Sequence, residues 1–388
     1  MAAPPARALP AAERWHEPAR AGHRPGCASA AQPRPFPDAD PDVHGTKACP
    51  GLGAPPFRSA DPEVRASARQ VKRPGRTCPP QYGYSPRVFA RAPDLAAETL
   101  YVIGGLYGNP QALDEIDRMA AQEHQTPWRV FNGDFHWFDA DAALFAAVQR
   151  RVLAHTALRG NVETELAGDD AAVGCGCAYP ESVPDADVER SNRILVRLRE
   201  VAATVPHARG ALAKLPMHAV AAVGRLRIGI VHGDAWSLAG WRFAHDQLHD
   251  VARDAALDAA LELAAVDGFA CSHTCAPALK SSARGFVINN GAAGMANFRG
   301  DASGLLTRIS LHPVPDGLAG ARAFGLYERG VWIDALRVRF DTARWIECFD
   351  AIWPAGSAAA LSYRERIVDG PDFSVDHALG REVRACAV

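Results

Sequence analysis

The sequence lacks several features that would assign the protein to a membrane or to the secretory pathway. No apolar run is long enough to cross a bilayer. The N-terminal residues include charges but no compact apolar core of a signal peptide, so we expect no secretory signal. The 42 basic and 44 acidic residues give a formal net charge of −2, which implies no overall attraction to nucleic acid or to a membrane.

The nine cysteines do not form the regular spacing of a disulfide framework, and nine is an odd number. The chain of 388 residues is also far longer than the small secreted domains that depend on disulfides. We therefore expect free thiols, a reducing compartment and a cytoplasmic protein. Two pairs of cysteines lie close together in the sequence, Cys175 with Cys177 and Cys271 with Cys275.

Hydrophobic periodicity is missing from residues 1–85. Of the 29 prolines, 18 precede residue 97, mixed with Ala, Arg, Gly and Ser. Such a segment buries too little apolar surface to offset the entropy lost on ordering. The expected organisation is a disordered arm over 1–85, one domain over 86–365 and a loose tail over 366–388.

The segment 86–365 alternates short apolar strands, tight turns and helical patterns, which is typical of an α/β fold. Strands are predicted at 100–103, 128–131, 155–158, 219–223, 226–231, 268–271 and 285–291, and antiparallel strands at 305–311, 323–327 and 331–340. Helices are predicted from Pro110 onward, after Asp134, and at 185–204, 237–250 and 251–264.

Four of the predicted strands are followed by a polar residue beside a glycine or another small residue. These residues are Asp134, Asn161, His232 and His273. Each has an ordinary interpretation, since Asp is a preferred helix N-cap and Asn after Gly is a common turn residue. Together, however, they offer the oxygen and nitrogen donors that suit Mn, Fe, Zn or Ni.

The order of these motifs resembles the calcineurin-like metallophosphoesterase superfamily, in particular its smaller bacterial phosphodiesterase branch. The family pattern is D-x-H-G-N, G-D, G-N-x-D/E, H-G, G-H-x-H and I-N-x-G, and the resemblance covers about 98–345. The corresponding stretches are Gly105-Leu106-Tyr107-Gly108-Asn109, Gly133-Asp134, Gly160-Asn161-Val162-Glu163, Val231-His232-Gly233-Asp234, Ser272-His273-Thr274-Cys275 and Ile288-Asn289-Asn290-Gly291. The resemblance implies a sandwich of two mixed β-sheets flanked by helices.

The departures from the family pattern fall on one of its two metal sites. The resemblance implies that Asp134, Asn161, His232 and His273 hold the second metal, and all four are present. The first metal would need an Asp and two His where this chain has Gly105, Tyr107 and Cys275. The expectation is therefore a single divalent metal ion per chain.

Three consequences of this loss remain open at the level of sequence. The protein could be a single-metal hydrolase in which side chains replace the lost metal. It could have rebuilt the first site from Cys275 with Cys175, Cys177 or the Tyr107 phenol, which would favour Zn or Fe. It could also be a binding protein that hydrolyses nothing.

Three further residues near these motifs could assist. His136 could act as a general acid or hold the substrate as a cation, or it could simply pack in its turn. Arg159 could bind phosphate in a bidentate manner, or it could be a solvated charge at a strand end. Asp234 could fix the tautomer of His232.

The leading functional prediction is a divergent metallophosphoesterase that hydrolyses a phosphomonoester or phosphodiester with metal-activated water. The substrate would be a small phosphoester or a nucleotide, with no strong sign of nucleic acid and no membrane partner. The alternative is a non-catalytic phosphate or nucleotide binder on the same scaffold. A third possibility, an interaction module acting through the Pro/Arg-rich arm, has the least support.

Overall fold

The computed structural model describes residues 73–381, and the greater part of the expected arm and residues 382–388 lie outside this range. The strands are β1 (Leu95–Ala96), β2 (Thr99–Ile103), β3 (Trp128–Asn132), β4 (Thr156–Leu158), β5 (His218–Val223), β6 (Leu226–Val231), β7 (Gly268–Cys271), β8 (Pro277–Ser281), β9 (Phe286–Asn290), β10 (Gly304–Ser310), β11 (Arg322–Glu328) and β12 (Val331–Val338). The helices are α1 (Pro110–Ala120), α2 (Ala142–Val152), α3 (Asn161–Ala167), α4 (Asp185–Thr204), α5 (Ala208–Ala213), α6 (His245–His249), α7 (Asp254–Ala264), α8 (Thr342–Ile352), α9 (Ala358–Asp369) and α10 (Val375–Ala378).

Within the described range the strands form two six-stranded sheets, each with parallel and antiparallel neighbours. The first has the order β11-β12-β10-β2-β3-β4, and the second has the order β1-β5-β6-β7-β9-β8. In the first sheet β2, β3 and β4 run parallel, and in the second β6, β7 and β9 run parallel. The two mixed sheets with flanking helices confirm the predicted α/β sandwich.

Alternating side chains of the central strands enter two different cores. Leu100 and Val102 of β2 lie in the core between the sheets, which also contains Ile228 and Ile288 of the second sheet. Tyr101 and Ile103 point the other way and pack with residues of the outer helices. Because β2 is buried on both faces, its sequence is a continuous apolar run rather than an alternating one.

The ends of the parallel strands of the two sheets meet at one edge of the sandwich. The Asn132 side chain at the end of β3 donates to the carbonyl of Val231 at the end of β6, with 2.6 Å between nitrogen and oxygen. The Asn290 side chain at the end of β9 donates to the Gly104 carbonyl just after β2, at 3.0 Å. The loops that follow these strands therefore lie close together, as the carboxyl ends of strands in open α/β sheets commonly do around a ligand.

Residues 73–85 belong to the expected arm, but the structure packs them against the domain. The Arg76 guanidinium donates hydrogen bonds to the carbonyls of Pro180 and Val183. Tyr82 is fully buried, and its hydroxyl donates a hydrogen bond to the Glu165 carboxylate. These contacts are long-range, so local sequence periodicity gave no sign of them.

The helix expected at 237–250 is limited to α6, His245–His249. The residues before it form a loop because the Asp234 carboxylate accepts hydrogen bonds from the backbone N–H groups of Trp236, Ser237 and Arg242. A local side-chain acceptor of this kind competes with helix formation.

The C-terminal region is more ordered than expected. Helices α8 and α9 follow the last strand, and the predicted loose tail over 366–388 begins inside α9. Helix α10 starts at a capping box made by Ser374 and His377. Among the described residues, no helix is both long and apolar enough to cross a membrane.

Candidate metal centre

The four polar residues predicted from the strand ends converge on one point at the shared edge of the sheets. Nε2 of His232 lies 3.3 Å from Oδ2 of Asp134, 3.1 Å from Oδ1 of Asn161 and 3.1 Å from Nδ1 of His273. All four side chains are buried. Three of these residues, Asp134, His232 and His273, each offer one ligand atom, and the three atoms lie within 4.8 Å of one another. These residues could therefore hold a metal ion.

The hydrogen bonds on the far side of each imidazole ring determine which of its two nitrogen atoms faces the centre. Nδ1 of His232 is 3.0 Å from the Asn132 carbonyl, and Nε2 of His273 is 3.0 Å from the Cys177 carbonyl. Since a carbonyl oxygen only accepts hydrogen bonds, these nitrogens carry protons, and in the neutral rings the opposite nitrogens present lone pairs inward.

The amide of Asn161 is oriented in the same way. Its nitrogen donates to the Cys175 carbonyl at 3.0 Å, so Oδ1 faces the centre. When both imidazoles are neutral, a carboxylate oxygen, an amide oxygen and two imidazole lone pairs thus surround one point. A cation removes the repulsion among these four atoms, and the donor set suits a borderline divalent metal. The residues present therefore fit a metal ion at this position.

The electrostatics of the cluster agree with its use as a ligand set. Burial opposes ionisation of Asp134, but the adjacent His232 outweighs it and lowers the pKa of the carboxyl below its ordinary value. Burial, together with repulsion from His232, lowers the pKa of His273 to about 3. Asp134 is therefore charged and His273 is neutral near pH 7, as metal ligation requires. Burial opposes ionisation of His232, but Asp134 outweighs it and raises the pKa of this imidazole, so a metal ion competes with a proton for Nε2 of His232.

Glu163 holds the Asp134 loop in place. One carboxylate oxygen accepts from the backbone N–H groups of Asp134 and Gly160, both at 2.8 Å, and the other accepts from Phe135 at 3.0 Å and His136 at 3.3 Å. Glu163 belongs to the G-N-x-D/E motif, but the sequence reasoning gave it no role. It acts on the centre through the backbone and not by touching it.

The absence of a side chain at Gly160 allows Asp134 and His232 to lie close to the backbone there. A Cβ at this position would overlap Oδ1 of Asp134 and lie 3.0 Å from Cε1 of His232. The Gly160 backbone has φ −92°, so any residue could adopt its conformation and only the contact excludes a side chain. Glycine is needed here for the close approach of Asp134.

We expect Gly160→Ala to weaken metal binding about 10-fold or more, because the new methyl group displaces the Asp134 carboxylate. Metal affinity is measured by calorimetry on the full chain. Gly168→Ala is the matched control, since it lies at the other end of α3 and its Cβ would meet its nearest atom at an ordinary 3.5 Å. Equal affinities for the two variants would contradict this account.

The residues expected around a first metal do not fit one. Gly105 offers no side chain, and the Tyr107 ring lies 3.1 Å from where a Gly105 Cβ would stand. The Tyr107 hydroxyl is 2.6 Å from Sγ of Cys275. Burial raises the pKa of the Cys275 thiol and, more strongly, that of the Tyr107 phenol, so both groups are neutral near pH 7. A phenol–thiol pair fills this volume.

The cysteine pair in the 168–183 loop contributes carbonyl groups to the centre and not thiolates. The Cys175 and Cys177 carbonyls orient Asn161 and His273, as described above. The Cys177 thiol is buried and its pKa is raised well above the ordinary value by burial and by Cys175. The six described cysteines are all free.

Three residues of the centre have left-handed backbone conformations. The φ angles are 56° at Tyr107, 51° at Asp134 and 57° at Cys275. Such angles are uncommon outside glycine and cost about 1 kcal/mol or more each, and they are concentrated at functional sites. Their grouping around one cavity makes this edge of the sandwich the candidate functional site.

The centre lies in a cavity of about 190 Å³. Asp134, Asn161 and His273 line one part of it. Four aromatic residues form much of the remaining wall: Trp137, Tyr179, Trp241 and Tyr363. Arg366 of α9 also lines the cavity, although the sequence placed it in the loose tail. Neither the aromatic wall nor Arg366 carried a sequence signal, because they come from distant segments.

The structure does not bring His136 or Arg159 to this cavity. His136 is fully buried, with Nδ1 2.6 Å from Asp139 and its ring stacked on Phe145 at 3.7 Å between centroids. Arg159 points toward the Ala213 carbonyl. The catalytic roles expected for both residues therefore lack a geometric basis, since neither lines the space beside the metal ligands.

Asp234 does not orient His232 as expected. Its carboxylate is occupied by three backbone N–H groups of its own loop. The Asn132 carbonyl orients His232 instead, and backbone carbonyls cannot be recognised in a sequence.

No protein-family model matches the sequence, and no curated protein matches it. Solved structures share its fold. The hypothetical protein PH1004 from Pyrococcus horikoshii OT3 has a TM-score of 0.50 and 13% identity, over 72% of this chain and 100% of its own. A metallophosphoesterase from Sphaerobacter thermophilus has a TM-score of 0.43 and 14% identity, over 70% of this chain and 100% of its own. At such identities the similarity concerns the fold alone.

Proposed function

We propose that the protein hydrolyses a small phosphoester with the help of one divalent metal ion. Asp134, Asn161, His232 and His273 would hold the ion. The observation that carries the proposal is the convergence of four side chains with ligand atoms beside a cavity. The sandwich fold and the buried Asp/His/His group support a phosphoesterase-type scaffold.

A divalent ion held by these residues would polarise a phosphoryl oxygen and lower the pKa of a water molecule. The chain contributes orientation. The carbonyls of Asn132 and Cys177 hold the two imidazoles, and Glu163 holds the backbone of the Asp134 loop. The aromatic residues line a cavity of about 190 Å³, a volume that suits a small substrate.

One metal ion is proposed rather than two because the phenol–thiol pair of Tyr107 and Cys275 fills the other position. The non-catalytic binder is not favoured, since a purely binding role gives no reason to retain a full set of buried metal ligands. Monoesters, diesters and nucleotides all remain within the proposed substrate class.

The test is metal content per chain, measured by elemental analysis on full-length protein loaded separately with Mn, Fe, Zn and Ni. We expect one ion per chain for at least one metal, and hydrolysis of a member of a mono- and diester panel only in that form. Two ions per chain would show that the first site has been rebuilt. Protein that holds one ion but hydrolyses no phosphoester would transfer support to the non-catalytic binder.

A further inference from the structure

Arg366 is the cation that lines the same cavity as the metal ligands. It lies in the last turn of α9, and two carbonyl groups hold its guanidinium. Nε donates to the Ala296 carbonyl at 3.1 Å, and Nη2 donates to the Cys275 carbonyl at 2.6 Å. These bonds use two of the five N–H donors of an arginine.

The positive charge of Arg366 has no carboxylate partner within 4.0 Å among residues 73–381. Its neighbour on the same helix, Arg364, differs in this respect, since it forms a two-fold hydrogen bond with Asp350 at 2.8 and 2.9 Å. A half-buried guanidinium held by carbonyls alone keeps its full charge available to an anion that enters the cavity.

The charge of Arg366 lies next to Tyr107 and Cys275, the two side chains found at the positions where the family pattern has ligands of the first metal. The guanidinium is hydrogen bonded to the backbone of Cys275 itself, and its field opposes the rise in the pKa of both Cys275 and Tyr107. The cavity thus has the metal ligands on one side and a fixed monovalent cation beside the lost first site.

We propose that Arg366 binds a non-bridging oxygen of the substrate phosphoryl group and thereby takes over the charge-neutralising role of the missing first metal ion. The inference rests on the proposed function for the identity of the substrate. Guanidinium suits this role because its planar fork can donate two parallel hydrogen bonds to a phosphoryl group. Its two carbonyl partners fix it in advance, so little ordering entropy is lost on binding.

The probe is inorganic phosphate, titrated by calorimetry into full-length protein that carries its metal ion. Arg366→Gln should weaken phosphate binding about 10- to 100-fold, because the charge and the fork are both lost. Metal content should stay at the wild-type value, since Arg366 is not a metal ligand. Arg366→Lys keeps the charge and loses the fork, and it should weaken phosphate binding less than Arg366→Gln.

Arg364→Gln is the matched control, because it removes a similar charge from the same helix at a position bonded to Asp350. Its phosphate affinity should equal that of the wild type. The inference is overturned if Arg366→Gln binds phosphate as tightly as Arg364→Gln, or if the metal-loaded wild type binds no phosphate. If Arg366→Gln does not fold, judged by its urea midpoint, Arg366→Lys decides, and wild-type affinity in that variant also overturns the inference.

The hydrolysis panel separates this inference from the proposed function. If the wild type hydrolyses an ester and Arg366→Gln has the same KM and kcat, the proposed function is supported and the proposed role of Arg366 is excluded. Phosphate binding that depends on Arg366, in a protein that hydrolyses no ester, would support the anion site and contradict the hydrolase.

Discussion

Replacing Asp134 with Asn should abolish tight metal binding and reduce phosphoester hydrolysis at least about 10³-fold, equivalent to about 4 kcal/mol. The substitution keeps the shape of the side chain and removes the one negative charge that faces the centre. Asn also tolerates the left-handed backbone found at this position, where φ is 51°, so the fold should be retained. Elemental analysis and the hydrolysis panel measure the two effects.

Asp141→Asn is the control for this experiment. Asp141 caps α2 on the same loop, with its carboxylate accepting from the N–H groups of Ala143 and Leu144. Asn is an equally good N-cap, so metal content and activity should not change. Full hydrolytic activity in Asp134→Asn would exclude the proposed mechanism.

Replacing Glu163 with Gln should lower the free energy of unfolding by about 3 kcal/mol and weaken metal binding at the same time. Each carboxylate oxygen of Glu163 accepts two backbone N–H groups. A glutamine presents its NH₂ group to one of these pairs, whichever way the amide is turned. The NH₂ group and the two backbone N–H groups are all hydrogen-bond donors, so these two bonds are lost. Urea denaturation of the metal-free protein measures the stability, and calorimetry measures the affinity.

Glu189→Gln is the matched control for the loss of a carboxylate, because Glu189 is exposed on α4 and, among residues 73–381, pairs only with Arg193. Its stability should remain within about 0.5 kcal/mol of the wild type. A stable Glu163→Gln protein with weakened metal binding would show that Glu163 orients the loop without supporting the fold. Wild-type values for both quantities would exclude either role.

The convergence of Asp134, His232 and His273 could be predicted from sequence because each residue closely follows its own strand in the chain. Asp134 follows β3, His232 follows β6 and His273 follows β7, and each strand is a readable apolar run. The parallel strands β6 and β7 place His232 and His273 at one edge of the second sheet. Asp134 comes from the first sheet, and the packing of the two sheets brings it to the same edge. The sandwich itself followed from the same strands, together with the resemblance stated above.

The rest of the site depends on contacts that leave no local pattern. Carbonyl groups of Asn132, Cys175 and Cys177 orient the ligands, and every residue type carries the same carbonyl. Arg366 reaches the cavity from a helix more than ninety residues after Cys275. The same limit explains the errors at residues 73–85 and at α9, whose order comes from long-range packing.

The Tyr107 ring beside Gly105 also constrains which side chains residue 105 could acquire during evolution. A side chain at residue 105 would begin 3.1 Å from the Tyr107 ring, which is tighter than an ordinary contact, and the φ of 64° at this position favours glycine. An acidic residue there would require Tyr107 to move, and a displaced or replaced tyrosine gives up its hydrogen bond to Cys275. Changes at residues 105 and 107 are therefore coupled, and we expect either one alone to destabilise this side of the cavity before a new carboxylate could serve any purpose.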